Sequence, residues 1–496
     1  MEMIDSSLAV LIALGTAGLF VVAGVLFIRK RKLSAEDYLV ARNSAGGNLA
    51  TATLVASVIG AWILFSPAEA GTWAGLMALI GYGLGQAAPL AAFVIVGPRM
   101  RSLMPEGHSL IEYVWHRYGK AMYLFVLGVT VFYMFVFLSA ELTGIAKAVN
   151  LLSGANLGLT ALIVGLLTVT YTAYGGLRAS IFTDGIQFTL ILPLLVLILV
   201  AAATGLGGLN EAFGPVSSDM PELLSLTYRP GLEFGATLII AILAANMFHQ
   251  GFWQRIYACK DDIALRRGFA LSGIVVVPVI LLVGILGIWA VGEGLVDDPS
   301  VAVFSLVEAI LPTWAGVAVL ILALVLVMSS MDTLLNGIAS TVTSDLARIR
   351  SQMDSDALIR SSRGFTVILV LPAIFIASQG YSVLYMFLIA DMVCAAAVVP
   401  VFWGLYSRKF DGRSAVGSSI IGLILGTLFF PTPAAPYLTG WIIDINWATQ
   451  LIVSFGLALG GSTLASLVMS WSRRDIETDE MYDFSILKKQ VRLISG

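Results

Sequence analysis

Charge is what this sequence lacks. Of 496 residues, 12% are Asp, Glu, Lys or Arg, where a soluble domain carries about 25%. Such a chain cannot clothe itself in water, and 58% of it is hydrophobic. Cysteine is nearly absent too. Cys259 and Cys394 both fall in or beside apolar runs, which excludes a disulfide framework. No HExxH, no GxSxG within an apolar run and no cysteine–histidine pairing occurs, so an intramembrane enzyme is not expected. A net charge of −3 carries no message about nucleic acid. Polar stretches are also short. The longest, about 204–233, and the segment from Trp471 to Gly496 are too small for a catalytic module, which argues against a receptor or membrane-anchored kinase.

What remains is a repeated pattern of runs near the ~20 apolar residues that a spanning helix needs. The fold class expected is all-α integral membrane. Thirteen transmembrane helices are placed at 8–28, 48–73, 75–97, 121–149, 157–176, 182–203, 234–257, 269–292, 314–345, 364–380, 382–406, 416–430 and 447–471. The first run is followed by Arg29–Lys32, whereas a signal peptide carries its charges ahead of the apolar core, so it reads as a retained helix. Orientation follows from the basic residues. The stretches after odd-numbered spans hold 25 of the 28 Lys and Arg, which predicts an N-terminus outside and a charged, solvated C-terminal tail in the cytoplasm.

Three runs are unusual. Span 2 has Gly60 at mid-membrane with Ser66-Pro67 beyond it, and proline removes a backbone donor. Span 7 has the polar, glycine-containing cluster Asn246 to Gly251 at similar depth. Interrupted helices five spans apart point to a transporter's binding site at the breaks. Span 9 is apolar in its first half and then carries Ser329, Ser330, Asp332, Thr333, Asn336, Ser340, Thr341 and Thr343. These groups must face other helices, water or an ion, because hydrocarbon leaves them unsatisfied. Adjacent hydroxyls and a carboxylate are hard oxygen ligands for a small cation. The alternative is interhelical hydrogen bonding.

Four stretches, spread over nearly the whole chain, resemble the sodium:solute symporter family. They are LVASVIGAWILFSPAEAG in span 2, closest to the proline-carrier version, YTAYGGLRASIFTDGIQF at 171–188, WQRIYACKD at 253–261, and VMSSMDTLLNGIASTVTSDL at 327–346. The resemblance implies the leucine-transporter fold with a 5+5 inverted repeat. Residues 1–47 would form the N-terminal helix and a cytoplasmic loop, and 48–203 the first repeat (spans 2–6). An outer loop would follow at 204–233, then the second repeat (spans 7–11) at 234–406, peripheral spans at 407–471 and the cytoplasmic tail at 472–496. It implies a sodium ion bound by carbonyls of Ala56, Ile59 and Leu326 and hydroxyls of Ser329 and Ser330. It also implies a second cation or proton site at Asp184, Asp332 and Thr333. The chain departs from the pattern at Val58, where proline carriers have aspartate, at Gly60, where a serine is usual, and at Asp332, where relatives have a small residue. Asp184 and Asp332 are therefore expected to face each other, with a proton or ion between them. Asp184 has the alternative role of capping span 6.

The substrate is expected beside the two breaks, lined by Trp62, Ile63, Gln86, Phe137, Glu141, Asn246, His249, Gln250, Trp253 and Asp391. Glu141 could instead pair with Lys147, Asp391 could be structural, and His249 could either sense protons or bond a freed carbonyl. An apolar wall with a few charged groups suits an amino-acid-like or other nitrogenous solute better than a sugar. The function expected is sodium-coupled symport by alternating access in a cell's inner (cytoplasmic) membrane. Proton-coupled or uncoupled transport through Asp184 and Asp332 is the runner-up, and a transporter-like sensor the more distant one. The partners expected are the small-molecule solute and the lipid bilayer, without nucleic acid or an obligatory protein partner.

Overall fold

Helix starts are marked by capping side chains in the short polar stretches. Asp5, Asn156, Asp261, Ser382, Asp411 and Asn446 each accept a backbone N–H from the first turn of the helix that follows. The computed structural model describes residues 3–29, 34–349, 354–432, 446–473 and 481–491, with no side chains for 347–349. Among them no strand occurs beyond an isolated bridge between Ala45 and Cys259.

In chain order the helices are α1 Ser6–Ile28, α2 Ala35–Leu39, α3 Gly47–Val58, α4 Ser66–Leu103, α5 Leu110–Tyr118 and α6 Lys120–Ser153. Then come α7 Leu157–Gly205, α8 Leu209–Asp219, α9 Arg229–Met247, α10 Gln250–Ala258, α11 Asp262–Gly292 and α12 Ala302–Ile310. The chain closes with α13 Thr313–Ile349, α14 Ser355–Ala377, α15 Val383–Trp403, α16 Gly412–Phe429, α17 Trp447–Ser472 and α18 Ser485–Gln490. Eleven helical segments of the described chain are long and apolar enough to cross a membrane. Short helices such as α2, α5 and α8 lie between the runs and were not expected.

Straight, the 49 residues of α7 would measure about 74 Å, more than twice the ~30 Å hydrocarbon core. The chain turns within it at Gly176 (φ 56°, ψ −155°), as it does within α4 at Gly75 (φ 66°, ψ −160°). At Gly176 a β-carbon would also lie 2.5 Å from the Tyr38 carbonyl oxygen, so glycine is needed twice over.

Helix α13 is the centre of the bundle. In its most apolar stretch 78% of the residues are buried within the protein, against 28% for α1, α14 and α16. This is why α13 can carry polar groups: they face neighbouring helices rather than lipid.

Outside the long helices, His108 is clamped by Glu36 Oε2 at 2.8 Å and Glu112 Oε2 at 3.2 Å, and Arg42 holds the other Glu36 oxygen at 2.7 Å. Burial opposes a charge on His108, but its hydrogen bonds and charge pairing with Glu112 and Glu36 win and raise its pKa to about 9. The segment beyond the last long helix, expected to be solvated, is packed where it is described. Leu487 and Val491 are buried, Tyr482 donates to the His116 carbonyl at 3.0 Å, and the Arg117 guanidinium lies 4.4 Å from its ring centroid.

Candidate functional site

The first break, between α3 and α4, organises the site. A helix continued past Val58 would give the carbonyls of Ala56 and Ile59 the N–H groups of Gly60 and Ile63. Instead the Gly60 N–H turns to Val58 O and the Ile63 N–H to Gly60 O, both at 3.2 Å. Two carbonyls are released from the helix ladder, and Ser329 of α13 meets one of them. Its Oγ lies 3.0 Å from Ala56 O and 2.9 Å from Asp184 Oδ1. A hydroxyl, a carbonyl and a carboxylate from three helices thus share one point, a set of hard oxygens chemically suited to a small cation. Ser330 is turned the other way. Its hydroxyl donates to Glu141 Oε2 at 2.6 Å, with the Leu326 carbonyl at 3.2 Å.

The break also frees amides, and Glu141 takes them. Its Oε2 accepts the Ala61 N–H at 2.9 Å and its Oε1 the Trp62 N–H at 3.1 Å. The alternative pair with Lys147 does not form, because Lys147 Nζ lies 2.7 Å from Asp298 Oδ2.

Asp184 and Asp332 do not have each other as partners. The cation beside Asp184 is Arg255, whose Nη2 is 2.8 Å from Asp184 Oδ2, with both side chains shielded from solvent. Thr53 donates to the same oxygen at 2.6 Å and accepts from Arg255 Nε at 3.1 Å. Asp332 accepts from Ser180 at 2.7 Å, Tyr171 at 2.9 Å and Thr183 at 3.4 Å. Thr333 stands between the two clusters, 2.9 Å from Arg255 Nη2 and 3.4 Å from Asp332 Oδ1. Nor does Asp184 cap a helix, since the chain is already helical after Gly176 and Asp184 lies two turns into it.

The second break, at Phe248 and His249 between α9 and α10, faces the first across a cavity, the place where broken helices of a transporter bind solute. Trp62, Gln86, Phe137, Asn246, His249 and Asp391 line it. Four other residues expected there lie elsewhere. Ile63 is buried in the turn of the first break. Glu141 is committed to that turn's amides. Gln250 bonds the chain before α5, with Nε2 donating to His108 O at 2.9 Å and Oε1 accepting the Leu110 N–H at 3.3 Å. Trp253 donates to Met247 O at 2.8 Å and stacks on Phe402. His249 bonds no freed carbonyl: its Nδ1 has no partner and its ring stacks on Phe252 at 4.6 Å.

Arg255 with Thr53, Tyr171, Ser180 and Thr183 at the polar centre, and Tyr82 and Tyr133 on the cavity wall, are residues that sequence reasoning missed. Arg255 was visible only as a lone arginine near the end of an apolar run. The tyrosines gave no signal apart from ordinary aromatic packing.

Two broken helices facing one buried cavity inside a bundle of apolar helices define a membrane transporter rather than an enzyme. The chain belongs to the sodium:solute symporter family, whose model matches residues 38–422. It is 30% identical to the spermidine transporter DUR31 of Candida albicans over 83% of this chain and 79% of that one. With the urea-proton symporter DUR3 of Oryza sativa subsp. japonica it shares 23% identity over 86% and 65%. With the sodium/pantothenate symporter of Escherichia coli it shares 24% over 82% and 88%. Among solved structures, a Na+-coupled sialic acid symporter in a substrate-bound outward-open state superimposes with a TM-score of 0.73 at 17% identity, covering 93% of this chain and 98% of that one. Inward-facing Mhp1 gives a TM-score of 0.57 at 16%, covering 94% and 99%.

Proposed function

We propose that the chain is a secondary active symporter that couples a small polar nitrogenous solute, amino-acid-like or related, to sodium by alternating access. The observation that carries this reading is the meeting of Ser329 Oγ, Ala56 O and Asp184 Oδ1 at the first break, beside the cavity. Sodium enters there as cargo. The Ala56, Ile59 and Leu326 carbonyls and the Ser329 hydroxyl are its ligands, joined by the Ser330 hydroxyl once it turns from Glu141, and each hydroxyl exchanges a hydrogen bond for the ion. Drawing the Ser329 and Ala56 oxygens onto one cation ties α13 to the end of α3, and the same break forms part of the cavity wall through Ser57, Val58 and Trp62. Ion and solute therefore favour one another's bound state, which is all that coupling requires. Solute reaches the cavity from one side and leaves on the other, with no covalent step. Division of α4 at Gly75 and of α7 at Gly176 supports a thirteen-span, twice-five layout, and the distribution of basic residues supports an N-terminus outside and a C-terminal end in the cytoplasm of a cell's inner membrane. A relative that carries spermidine and another that carries urea support a nitrogenous solute.

Replacing Ser329 and Ser330 together by alanine is expected to abolish sodium-stimulated uptake in proteoliposomes while leaving the elution profile of the purified protein unchanged. Full sodium-stimulated uptake by the double variant would overturn the site.

Proton coupling is the second reading. It is favoured by Asp332, a carboxylate at zero exposure whose partners on neighbouring helices are hydroxyls and not a cation. It predicts that Asp332→Asn loses uptake driven by a pH gradient.

A further inference from the structure

We propose that Asp391 recognises the charge of the solute, and that the solute is an organic amine carried as its cation, without a carboxylate of its own. This rests on reading the cavity as the solute site.

Four acidic side chains are buried in the described structure: Glu141, Asp184, Asp332 and Asp391. Three have their donors inside the protein. Glu141 holds two backbone amides and the Ser330 hydroxyl. Asp184 holds Arg255, Thr53 and Ser329. Asp332 holds four hydroxyls. Asp391 differs. It sits mid-way along α15, 5% exposed, on the cavity wall, and no donor from the described residues reaches its carboxylate. A charged carboxylate taken out of water needs a partner that supplies hydrogen bonds and opposite charge. Here that partner has to come with the ligand.

The rest of the cavity agrees on the ligand's sign and shape. No Lys or Arg lines it, and the nearby Arg255 is already neutralised by Asp184. Trp62 stacks on Tyr82 with ring centroids 5.6 Å apart, and Phe137 meets Phe387 edge-on at 4.8 Å. Aromatic faces of this kind attract cations and hold methylene chains.

The first break also discriminates. Its freed amides are the natural seat for the carboxylate of an amino acid, since unwound backbone N–H groups bind anions. Glu141 already occupies the amides of Ala61 and Trp62. A zwitterion would find its ammonium site at Asp391 and no vacant anion site at the break. An amine without a carboxylate fits both facts.

The test is a set of four-carbon compounds that differ in their end groups and so in charge: putrescine, 4-aminobutanoate, butane-1,4-diol and succinate. Other amines (agmatine, ethanolamine, choline) are added to vary the chain. Each is assayed for thermal stabilisation of the purified full chain and for uptake into proteoliposomes under sodium and proton gradients. At least one amine is expected to stabilise the protein and accumulate, and the zwitterion, diol and diacid are expected to do neither. In Asp391→Asn the half-saturating amine concentration should rise at least about tenfold, as for truncation of one partner of a buried charge pair. Asp391→Glu should recover part of the loss. Accumulation of only the zwitterion, the diol or the diacid would overturn the proposal while leaving the transporter reading intact. Undiminished amine binding in Asp391→Asn would do the same. If that variant does not fold, the comparison on the unmodified protein still decides. Absence of stabilisation and uptake for every amine under every gradient would also overturn the proposal, and uptake of any other small solute would leave the transporter reading standing.

Discussion

Arg255 decides the electrostatics of the polar centre. It is 1% exposed and bonds Asp184, Thr53, Thr333 and the Gly251 carbonyl, so one guanidinium connects α3, α7, α10 and α13. Removing it strands a buried carboxylate. Arg255→Met is expected to lower stability by about 3–5 kcal/mol, measured by thermal or denaturant unfolding in detergent. Adding Asp184→Asn should restore much of that loss, because no unpaired charge is then left behind. Strictly additive losses in the double-mutant cycle would contradict the pairing. The sequence made Ser329, Ser330 and Asp332 conspicuous, since hydroxyls and a carboxylate stand out in an apolar run. It left Arg255 in the background because an arginine near a span end usually anchors at the membrane surface. Only packing shows that its head turns inward. Glu141 was legible as an unusual buried acid, but its partners, the amides of a break some eighty residues earlier, depend on which helices meet.

Helix breaks and helix links form the next scale. Both interruptions were readable, because Gly60 with Ser66-Pro67 and the Asn246–Gly251 cluster violate the pattern of the runs around them. What fills each break was not readable. The clamp on His108 shows a link between elements that periodicity cannot reveal: Glu36 belongs to α2, Glu112 to α5, and the His108 carbonyl holds Gln250 at the start of α10. It yields a pH prediction. With the pKa raised from 6.5 to about 9 in the folded protein, protonated His108 contributes its full stabilisation below about pH 6.5. That contribution fades as pH rises through about 9, and it amounts to about 3 kcal/mol. Unfolding temperature in detergent should therefore fall between pH 6.5 and 9 more steeply for the unmodified protein than for His108→Gln. Equal slopes would show that the clamp carries no charge.

At the scale of the whole molecule, apolar run length alone gave an all-helical membrane protein, and the positions of the breaks gave a transporter. The composition of the cavity did not follow from either. Trp62, Gln86, Phe137, Asn246, His249 and Asp391 come together, while Gln250 and Trp253, next to them in sequence, point into other packing. One turn of helix is enough to carry a side chain from the cavity to the core. Ion coupling is a property of this assembled centre and not of any single residue. It is tested most directly by uptake of labelled amine into proteoliposomes, with an inward gradient of sodium alone or of protons alone. Accumulation above equilibrium is expected with the sodium gradient and should collapse when sodium is equalised across the membrane. Accumulation with the proton gradient only would contradict sodium coupling at Ser329 and Ser330 and transfer that role to Asp332.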